Sequence, residues 1–488
     1  MAGICAVGSY VPRYRLTGKT LAQAWGAEKG APSALAVANY DEDSITMAVE
    51  AAQDALAAGR IDSAAIDALY FASTTPPFSE KLCSAVVAAA CDLREGVATV
   101  DFCNSVRGAS LALQAAFDGL SAGRFRTVLV VAADARAAEP SSALERTIGA
   151  GAGALVLGSE QCVLTPVGHH HEDSSFVDFW RRDGDAEIRS GDAHFIQRKG
   201  YVDIMRRVIT TVLETNRLTL GDVARVLIPA PDRASLRGLL KVLKCERSEG
   251  ADLVRQIGYA GTAMAPLLLA AGLSGLRGGD RVLLANYGDG ADASVLQATD
   301  AIEAHGPEVA RRFTEQMTGG VELGAYGRFL RFRGALPRAE YRPWSSLALF
   351  WREEKQNIRF CGSRCADCRT VQFPRRQTCI TCGGRKLCDH TLGRSGTIYT
   401  YTVDHLFLNE NPPLAMACVD LDGGGRFYGQ MTDCEPEAVA IGQPVRLTFR
   451  RLHEGLGHHN YFWKIRPAGA DGGAWAAGAA GRGAATEG

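Results

Sequence analysis

Four cysteines constrain this chain more than any other feature: Cys365-x2-Cys368-x10-Cys379-x2-Cys382. Each Cys-x-x-Cys pair is a knuckle that directs two thiolates at one point, and two knuckles close a tetrahedron around Zn²⁺. With all four positions filled by protein, no coordination site stays open, so the zinc is structural and not catalytic. Cys361 and Cys388 lie just outside the pairs and read as spectators. A short helix and this ribbon fill residues 346–392. Strand patterns then recur at Gly396–Val403, Leu414–Leu421, Arg426–Met431, Pro444–Arg450 and Tyr461–Ile465, separated by Gly-rich turns. Five short strands of this kind suit a small, partly open β-barrel of the OB type over residues 393–467. Tyr399, Tyr401, Phe427 and Tyr428 could form a stacking platform for nucleic acid, but the module has no strong basic excess. A substrate or docking role fits it better.

The chain is too long for the ribbon and barrel alone. At 488 residues it should hold two to four domains, on a prior of about 100–200 residues each. Lys+Arg 53 against Asp+Glu 54 leaves a net charge of -1, which removes any global electrostatic case for nucleic acid or an anionic membrane. The longest apolar runs, such as Met264–Gly272, are too short to span a bilayer. The first residues have no basic region ahead of a long apolar one, as a secretory signal would. Fourteen cysteines without such a signal point to a reducing compartment, and the expectation is a cytoplasmic protein.

Residues 1–300 alternate strand-like and helix-like segments, the punctuation of a layered α/β sheet. Ile4–Ser9, Ala68–Ala72, Val97–Cys103 and Thr127–Ala133 read as strands. Ser44–Ala58 reads as an amphipathic helix capped among Asp41, Asp43 and Ser44, and Lys81–Cys91 as a buried one. Gly149–Gly158 reads as a Gly-rich turn feeding a strand. The pattern recurs with helices at Tyr201–Thr215, Leu236–Leu243 and Gly261–Leu273, and strands at Val223–Pro229 and Arg281–Asn286. Arg126–Asp134 and Arg281–Asp289 look like one element used twice, so a duplicated α/β half is expected, with halves at 1–165 and 166–300. Residues 166–200 read as a polar insertion. Its His169, His170 and His171 are consecutive and cannot converge on one ion, so they read as part of a solvated loop. Residues 301–345 read as a charged linker with a short helix, and 468–488 as a disordered tail.

The chemistry is expected in Val100–Gln114. A buried strand there turns into a helix from Val106, with Asn104 and Ser105 as N-cap types. Helix N-termini lower thiol pKa values and hold developing negative charge, which makes Cys103 and Ser105 candidate nucleophiles. Against this, a free Cys at a strand end is most often a small buried hydrophobe, and no base stands near Cys103 in the sequence.

The ribbon and barrel, with Trp351-Arg-Glu-Glu-Lys-Gln-Asn-Ile-Arg359 and Thr400-Tyr-Thr-Val-Asp-His405, resemble the DUF35 module that accompanies thiolase-superfamily enzymes. Residues 1–300 resemble the 3-hydroxy-3-methylglutaryl-CoA synthase and ketoacyl synthase III branch of that superfamily. The resemblance implies a five-layer αβαβα fold of two similar halves, a CoA thioester as substrate, a homodimer, and a thiolase or hydratase as partner. The family's acyl-enzyme Cys falls on Val106, counting five residues from Asp101. Its general-base Glu falls near Thr74, its His near Pro229 and its Asn near Tyr259, and no histidine lies between His194 and His305.

Three readings follow. An acyl transferase would use Cys103 or Ser105, with Arg107, Gly108, Gly288 and Gly290 around the bound thioester. A retro-aldolase acting on a β-hydroxyacyl-CoA would need no nucleophile; Tyr259 would shuttle the proton, helped by Asp289 or Asp292. A non-catalytic scaffold would only bind acyl-CoA or a partner enzyme.

Overall fold

The structure is a computed structural model that describes residues 2–31, 33–246, 248–336, 345–407 and 410–469. It divides into one unit of Met1–Ala88 with Leu93–Leu336, and a second of Ala89–Asp92 with Pro337–Gly488.

The first unit is built on a nine-stranded mixed sheet. Its strands are β1 (Gly3–Tyr10), β4 (Ala68–Ser73), β5 (Ala98–Cys103), β6 (Val128–Ala135), β7 (Ala150–Gly158), β8 (Leu164–Asp173), β9 (Arg225–Leu227), β10 (Arg281–Tyr287) and β11 (Gly290–Ala298). They are ordered β9-β10-β11-β8-β1-β7-β6-β4-β5. A small separate sheet holds β2 (Tyr14–Thr17), β3 (Ala34–Val37) and β12 (Val321–Glu322). Outward from β1, the pairings with β7 and then β6 are antiparallel, and those with β4 and β5 are parallel. Outward from β8, the pairings with β11 and then β10 are antiparallel, and that with β9 is parallel. The two halves repeat one pattern and meet at a single pair, Ile4 opposite Leu164. β6 and β10, the two segments that look alike in sequence, hold the third place in each half.

Helix α1 (Ser44–Gly59) starts on a capping box made by Asp43 and Thr46. Helices α2 (Cys83–Ala90), α3 (Gly108–Ser121), α4 (Asp203–Thr215) and α5 (Arg233–Leu243) follow the strands as the apolar periodicity requires. Helix α6 (Met264–Gly272) is apolar all round because it packs in the main core, with Leu267, Leu268 and Leu269 fully buried.

Three expectations for this unit need correction. Gly149–Gly158 is not a turn feeding a strand: Ala150–Gly158 is itself a buried strand. Its glycines let α6 lie close, since a Cβ on Gly153 would fall 2.8 Å from the Pro266 ring. The histidine segment of the supposed insertion 166–200 is not a loop. His169, His170 and His171 lie on β8 in register with Ser294, Ala293 and Asp292 of β11, and His169 Nδ1 is 3.0 Å from Ser294 Oγ. The polar side chains hid a strand that is only partly buried. Residues 301–345 are not a linker as far as Leu336. Helix α7 (Ile302–Thr318) buries Ile302, Val309 and Phe313, and α8 (Tyr326–Phe332) packs Phe332 against Tyr14. Outward charges such as Arg311 with Glu308 obscured those few apolar anchors. The rest of the supposed linker at 337–344, and the tail beyond Gly469, lie outside the described residues.

The second unit opens with α9 (Leu347–Arg352). The ribbon strands β13 (Cys361–Cys365), β14 (Val371–Gln372) and β15 (Leu387–Thr391) follow, ordered β14-β13-β15. The barrel holds β16 (Ser395–Asp404), β17 (Leu414–Leu421), β18 (Arg426–Gln430), β19 (Pro444–Gly455) and β20 (His458–Pro467), ordered β18-β17-β16-β19-β20. A bridge from Met431 to Ile465 brings its two edges together. Phe427, Phe449 and Trp463 fill the core, so Phe427 leaves the expected surface platform, while Tyr399, Tyr401 and Tyr428 stay exposed. Among the described residues no helix is long and apolar enough to cross a membrane.

Candidate functional site

Ligands of open α/β sheets bind outside the carboxyl ends of the strands. Here those ends carry Ser73–Thr75 after β4, Cys103–Arg107 after β5, Asp134–Arg136 after β6 and Tyr287–Gly290 after β10.

The turn after β5 differs from its expected form. Helix α3 begins at Gly108 with Arg107 as its N-cap, and Arg107 makes no side-chain cap bond. Asn104, the expected cap, has a left-handed φ of 76°. Ser105 Oγ accepts from the Arg107 amide at 3.3 Å and donates to the Gly288 carbonyl at 3.4 Å. Cys103 therefore ends a strand and does not open a helix. Burial pushes its thiol above the ordinary value, and Asp101 and Asp134 push the same way. That is the reverse of what a thiolate nucleophile needs.

The turn after β10 closes on this one. A Cβ on Gly288 would sit 2.6 Å from Val106 Cγ2, so only glycine fits there. Gly290 has a φ of 114°, and a Cβ on it would strike the Glu172 carbonyl. Gly108 is buried at the start of α3 near the Phe102 carbonyl. These three glycines have packing reasons of their own. Asp289 lines a cleft of about 580 Å³ with Cys103, Asn104, Ser105, Asp173 and Ser174.

Arg107 also lines this cleft, but its guanidinium is turned inward and committed. It donates to the Ala291 carbonyl at 3.1 Å, pairs with Asp173, and lies 3.7 Å from Asp292. Asp292 is buried and takes a 2.7 Å bond from Ser110. Burial pushes its carboxyl up to about 7, against the pull of Ser110 and Arg107.

Behind the cleft lies a polar centre whose key members sequence reasoning missed. Asp134 is fully buried. Its Oδ1 accepts from Ser73 Oγ, the Thr74 amide, and the amide and hydroxyl of Thr75 at 2.7–3.1 Å. Its Oδ2 accepts from the amide and hydroxyl of Thr262. This carboxylate thus clamps the Thr74 turn to the loop that carries Tyr259. Tyr259 is held by backbone bonds to Thr147 and Gly149, and the Arg136 guanidinium lies 5.9 Å from its ring centre. Burial pushes its phenol up to about 12, against the pull of Arg136. Tyr201 donates to the Pro229 carbonyl at 3.0 Å and stacks edge-on against Tyr287. The Tyr287 hydroxyl faces Asp178, whose carboxyl is raised by burial. Thr74, Val106, Pro229 and Tyr259, scattered in sequence, are thus linked through shared neighbours in one region. Asp134, Arg136, Asp178, Tyr201 and Tyr287 join them. The one available signal for Asp134 was an acidic residue ending a buried strand.

In the second unit the sulfurs of Cys365, Cys368, Cys379 and Cys382 all lie within 4.8 Å of one another. Zinc–sulfur bonds of about 2.3 Å set tetrahedral sulfurs roughly 3.8 Å apart, so the four thiolates fit zinc. Cys361 faces Thr391, and Cys388 donates to the Arg364 carbonyl, outside that set.

Residues 352–387 match the family described as the rubredoxin-like zinc ribbon domain of ChsH2, and residues 389–450 its C-terminal OB-fold domain. The hydroxymethylglutaryl-CoA synthase of Aeropyrum pernix is 31% identical over 350 residues, 69% of this chain and 95% of the relative. That of Methanopyrus kandleri is 30% identical over 319 residues, 62% of this chain and 89% of the relative. A solved hydroxymethylglutaryl-CoA synthase complexed with CoA superposes with a TM-score of 0.61 at 19% identity, over 71% of this chain and 95% of that one. These likenesses agree with the thiolase-like α/β fold, zinc ribbon and OB barrel expected from the sequence.

Proposed function

The chain belongs to the hydroxymethylglutaryl-CoA synthase family, and from that premise we propose that it makes or breaks a carbon–carbon bond in an acyl-CoA by aldol-type chemistry, without an acyl-enzyme. The observation that carries this reading is Tyr259. It stands buried beside Arg136 where the family has its Asn, while the Cys103 thiol is pushed away from reactivity. A phenol raised to about 12 is protonated at neutral pH. It suits a donor to the carbonyl oxygen that gains charge as the bond forms, and in cleavage it is the phenolate, not the phenol, that takes the hydroxyl proton. Asp289, in the cleft, is the helper, taking the α-proton in bond formation and returning it to the enolate in cleavage. Ser105, Gly108, Gly288 and Gly290 shape the thioester's seat, and Arg107 holds α3 against β11. The same reading makes the protein a cytoplasmic homodimer that exchanges acyl-CoA with a thiolase or hydratase, with zinc holding the second unit in shape.

Intact-protein mass spectrometry after incubation with acetyl-CoA and with β-hydroxyacyl-CoA tests it. The expected result is an unmodified chain, with a ketone or aldehyde released from the hydroxyacyl substrate. A stable acyl adduct on Cys103 or Ser105 would overturn the reading in favour of acyl transfer.

A further inference from the structure

Cys5 and Cys162 are 157 residues apart in sequence, yet their sulfurs stand 3.7 Å from each other. The backbone fixes this contact on both sides. The Val163 amide donates to the Ile4 carbonyl at 2.7 Å, and Ile4 faces Leu164 in the single pair that joins β1 to β8. Cys5 falls where the register of β1 against β7 shifts between Ile4 and Ala6, so it is left out of that pairing. Cys162 lies in the connection from β7 to β8, and its carbonyl takes the Thr299 hydroxyl at 2.5 Å. A Cβ on Gly3 would fall 2.8 Å from Cys162 Cβ, so the bare backbone at Gly3 makes room for the thiol.

Neither cysteine is in a disulfide, and neither lines the cleft. Both are only partly buried, and Ser159, Glu160 and Gln161 beside Cys162 are exposed, so a small reagent reaches the pair. Among the described residues the only group of three or more possible metal ligands is that of the ribbon, so two thiols here do not make a metal site. Their chemistry is unequal. The Cys5 thiol donates to the Cys162 sulfur, which raises Cys5 and lowers Cys162, while burial pushes both up. The thiolate is the form that oxidants attack. A disulfide needs about 2.05 Å between sulfurs. With the flanking backbones already bonded, side-chain rotation is the movement left to make.

We propose that Cys5 and Cys162 form a redox-active dithiol, a reversible oxidation site where the two halves of the first unit meet, with a hydroperoxide as the oxidant. The Cys162 thiolate attacks a peroxide oxygen. The S–O bond forms as the O–O bond breaks, and the leaving hydroxide takes a proton and departs as water. The Cys5 thiol then attacks the Cys162 sulfur. The S–S bond forms, the S–O bond breaks, and the hydroxide released takes the thiol proton as a second water. The two thiols together lose two electrons, and the peroxide gains them. A small thiol reverses the bond by exchange.

Hydrogen peroxide at one equivalent on the zinc-loaded full chain tests this, read by intact mass and by peptide mapping without reductant. The wild type should become lighter by two hydrogen atoms, with the Cys5 and Cys162 peptides joined, and dithiothreitol should undo both changes. Cys5→Ser keeps a donor beside Cys162 but cannot resolve it, so oxidation should stop at a sulfenic acid on Cys162 that dimedone traps. Cys162→Ser should give neither product and consume peroxide at least about fivefold more slowly. Circular dichroism confirms that each variant is folded. A wild type that keeps both thiols while other cysteines are oxidised would overturn the inference. So would a Cys162 that is oxidised but never joined to Cys5, or a folded Cys5→Ser without sulfenic acid at Cys162. Unchanged peroxide consumption in a folded Cys162→Ser would overturn it as well.

Discussion

Asp134 Oδ2 accepts from both the amide and the hydroxyl of Thr262, at 2.8 and 3.0 Å, and so ties the end of β6 to a loop 128 residues away. Its other oxygen serves the turn at Ser73–Thr75. Replacing it by asparagine puts an amide nitrogen where an acceptor is needed and leaves buried donors unpaired. Asp134→Asn should cost about 3 kcal/mol in urea unfolding. It should also lower turnover, because the Tyr259 loop loses its clamp. An unchanged midpoint and an unchanged rate would show that the clamp is dispensable.

The ribbon makes a separate prediction. Folding and metal binding are coupled when the ligands come from two knuckles of one small module. Purified chain should hold about one zinc per molecule by elemental analysis. Cys368→Ser or Cys379→Ser should lose it together with the near-ultraviolet signal of Trp463, which is buried in the adjoining barrel. Metal-free chain that keeps this signal would refute a structural zinc.

Loss of a side chain at the centre should act on rate more than on stability. Tyr259 makes its fixed contacts through the backbone, and its hydroxyl is the group assigned to proton transfer. Tyr259→Phe should therefore lower kcat about 10²-fold or more with little change in KM for the acyl-CoA. Wild-type kcat in that variant would remove Tyr259 from the mechanism.

What could be read from the sequence depended on the range of the interactions involved. The first three barrel strands and α1 were legible nearly to the residue, because alternation and capping are local signals: Ser44–Ala58 was expected and Ser44–Gly59 found. The last two strands, expected at Pro444–Arg450 and Tyr461–Ile465, run over Pro444–Gly455 and His458–Pro467. The four zinc ligands were legible because their geometry is encoded in their spacing. The start of α3 was not. Asn104 and Ser105 are good caps in isolation, but Ser105 is drawn to the Gly288 carbonyl by a contact across 183 residues. Arg107 looks like a free cation in sequence, and only the fold shows it buried against Asp292. Asp134 carries one local mark, an acidic residue ending a buried strand, and its importance lies in distant donors that the sequence does not show.

Cysteine reactivity should follow the two thiols' surroundings. Cys162 lies 3.7 Å from Cys5, whose hydrogen bond brings the Cys162 thiol down to about 7, with burial opposing. Cys103 is raised by burial and two carboxylates. The thiolate is the reactive form. At pH 7.5, iodoacetamide followed by peptide mapping should label Cys162 at least about tenfold faster than Cys103. Faster labelling of Cys103 would restore it as a nucleophile.

Asp292 gives the pH dependence. Ser110 and Arg107 of the α3 segment face it and lower its pKa; Asp173 of β8 raises it, and burial outweighs them, so the carboxyl titrates at about 7 against an ordinary 3.8. The folded chain therefore binds a proton at Asp292 that the unfolded chain has released throughout the interval between those values. Stability falls wherever the folded state holds more protons. The contribution of Asp292 is thus fully present below about pH 4 and is lost as the pH rises to about 7, on the order of 1 kcal/mol per unit at most. Asp292→Asn cannot ionise and keeps the uncharged amide beside Ser110. Its unfolding free energy should decline less between pH 5 and pH 8 than that of the wild type. Parallel curves over that range would mean that Arg107 compensates the buried charge in full, and that Asp292 is ionised in the folded chain throughout.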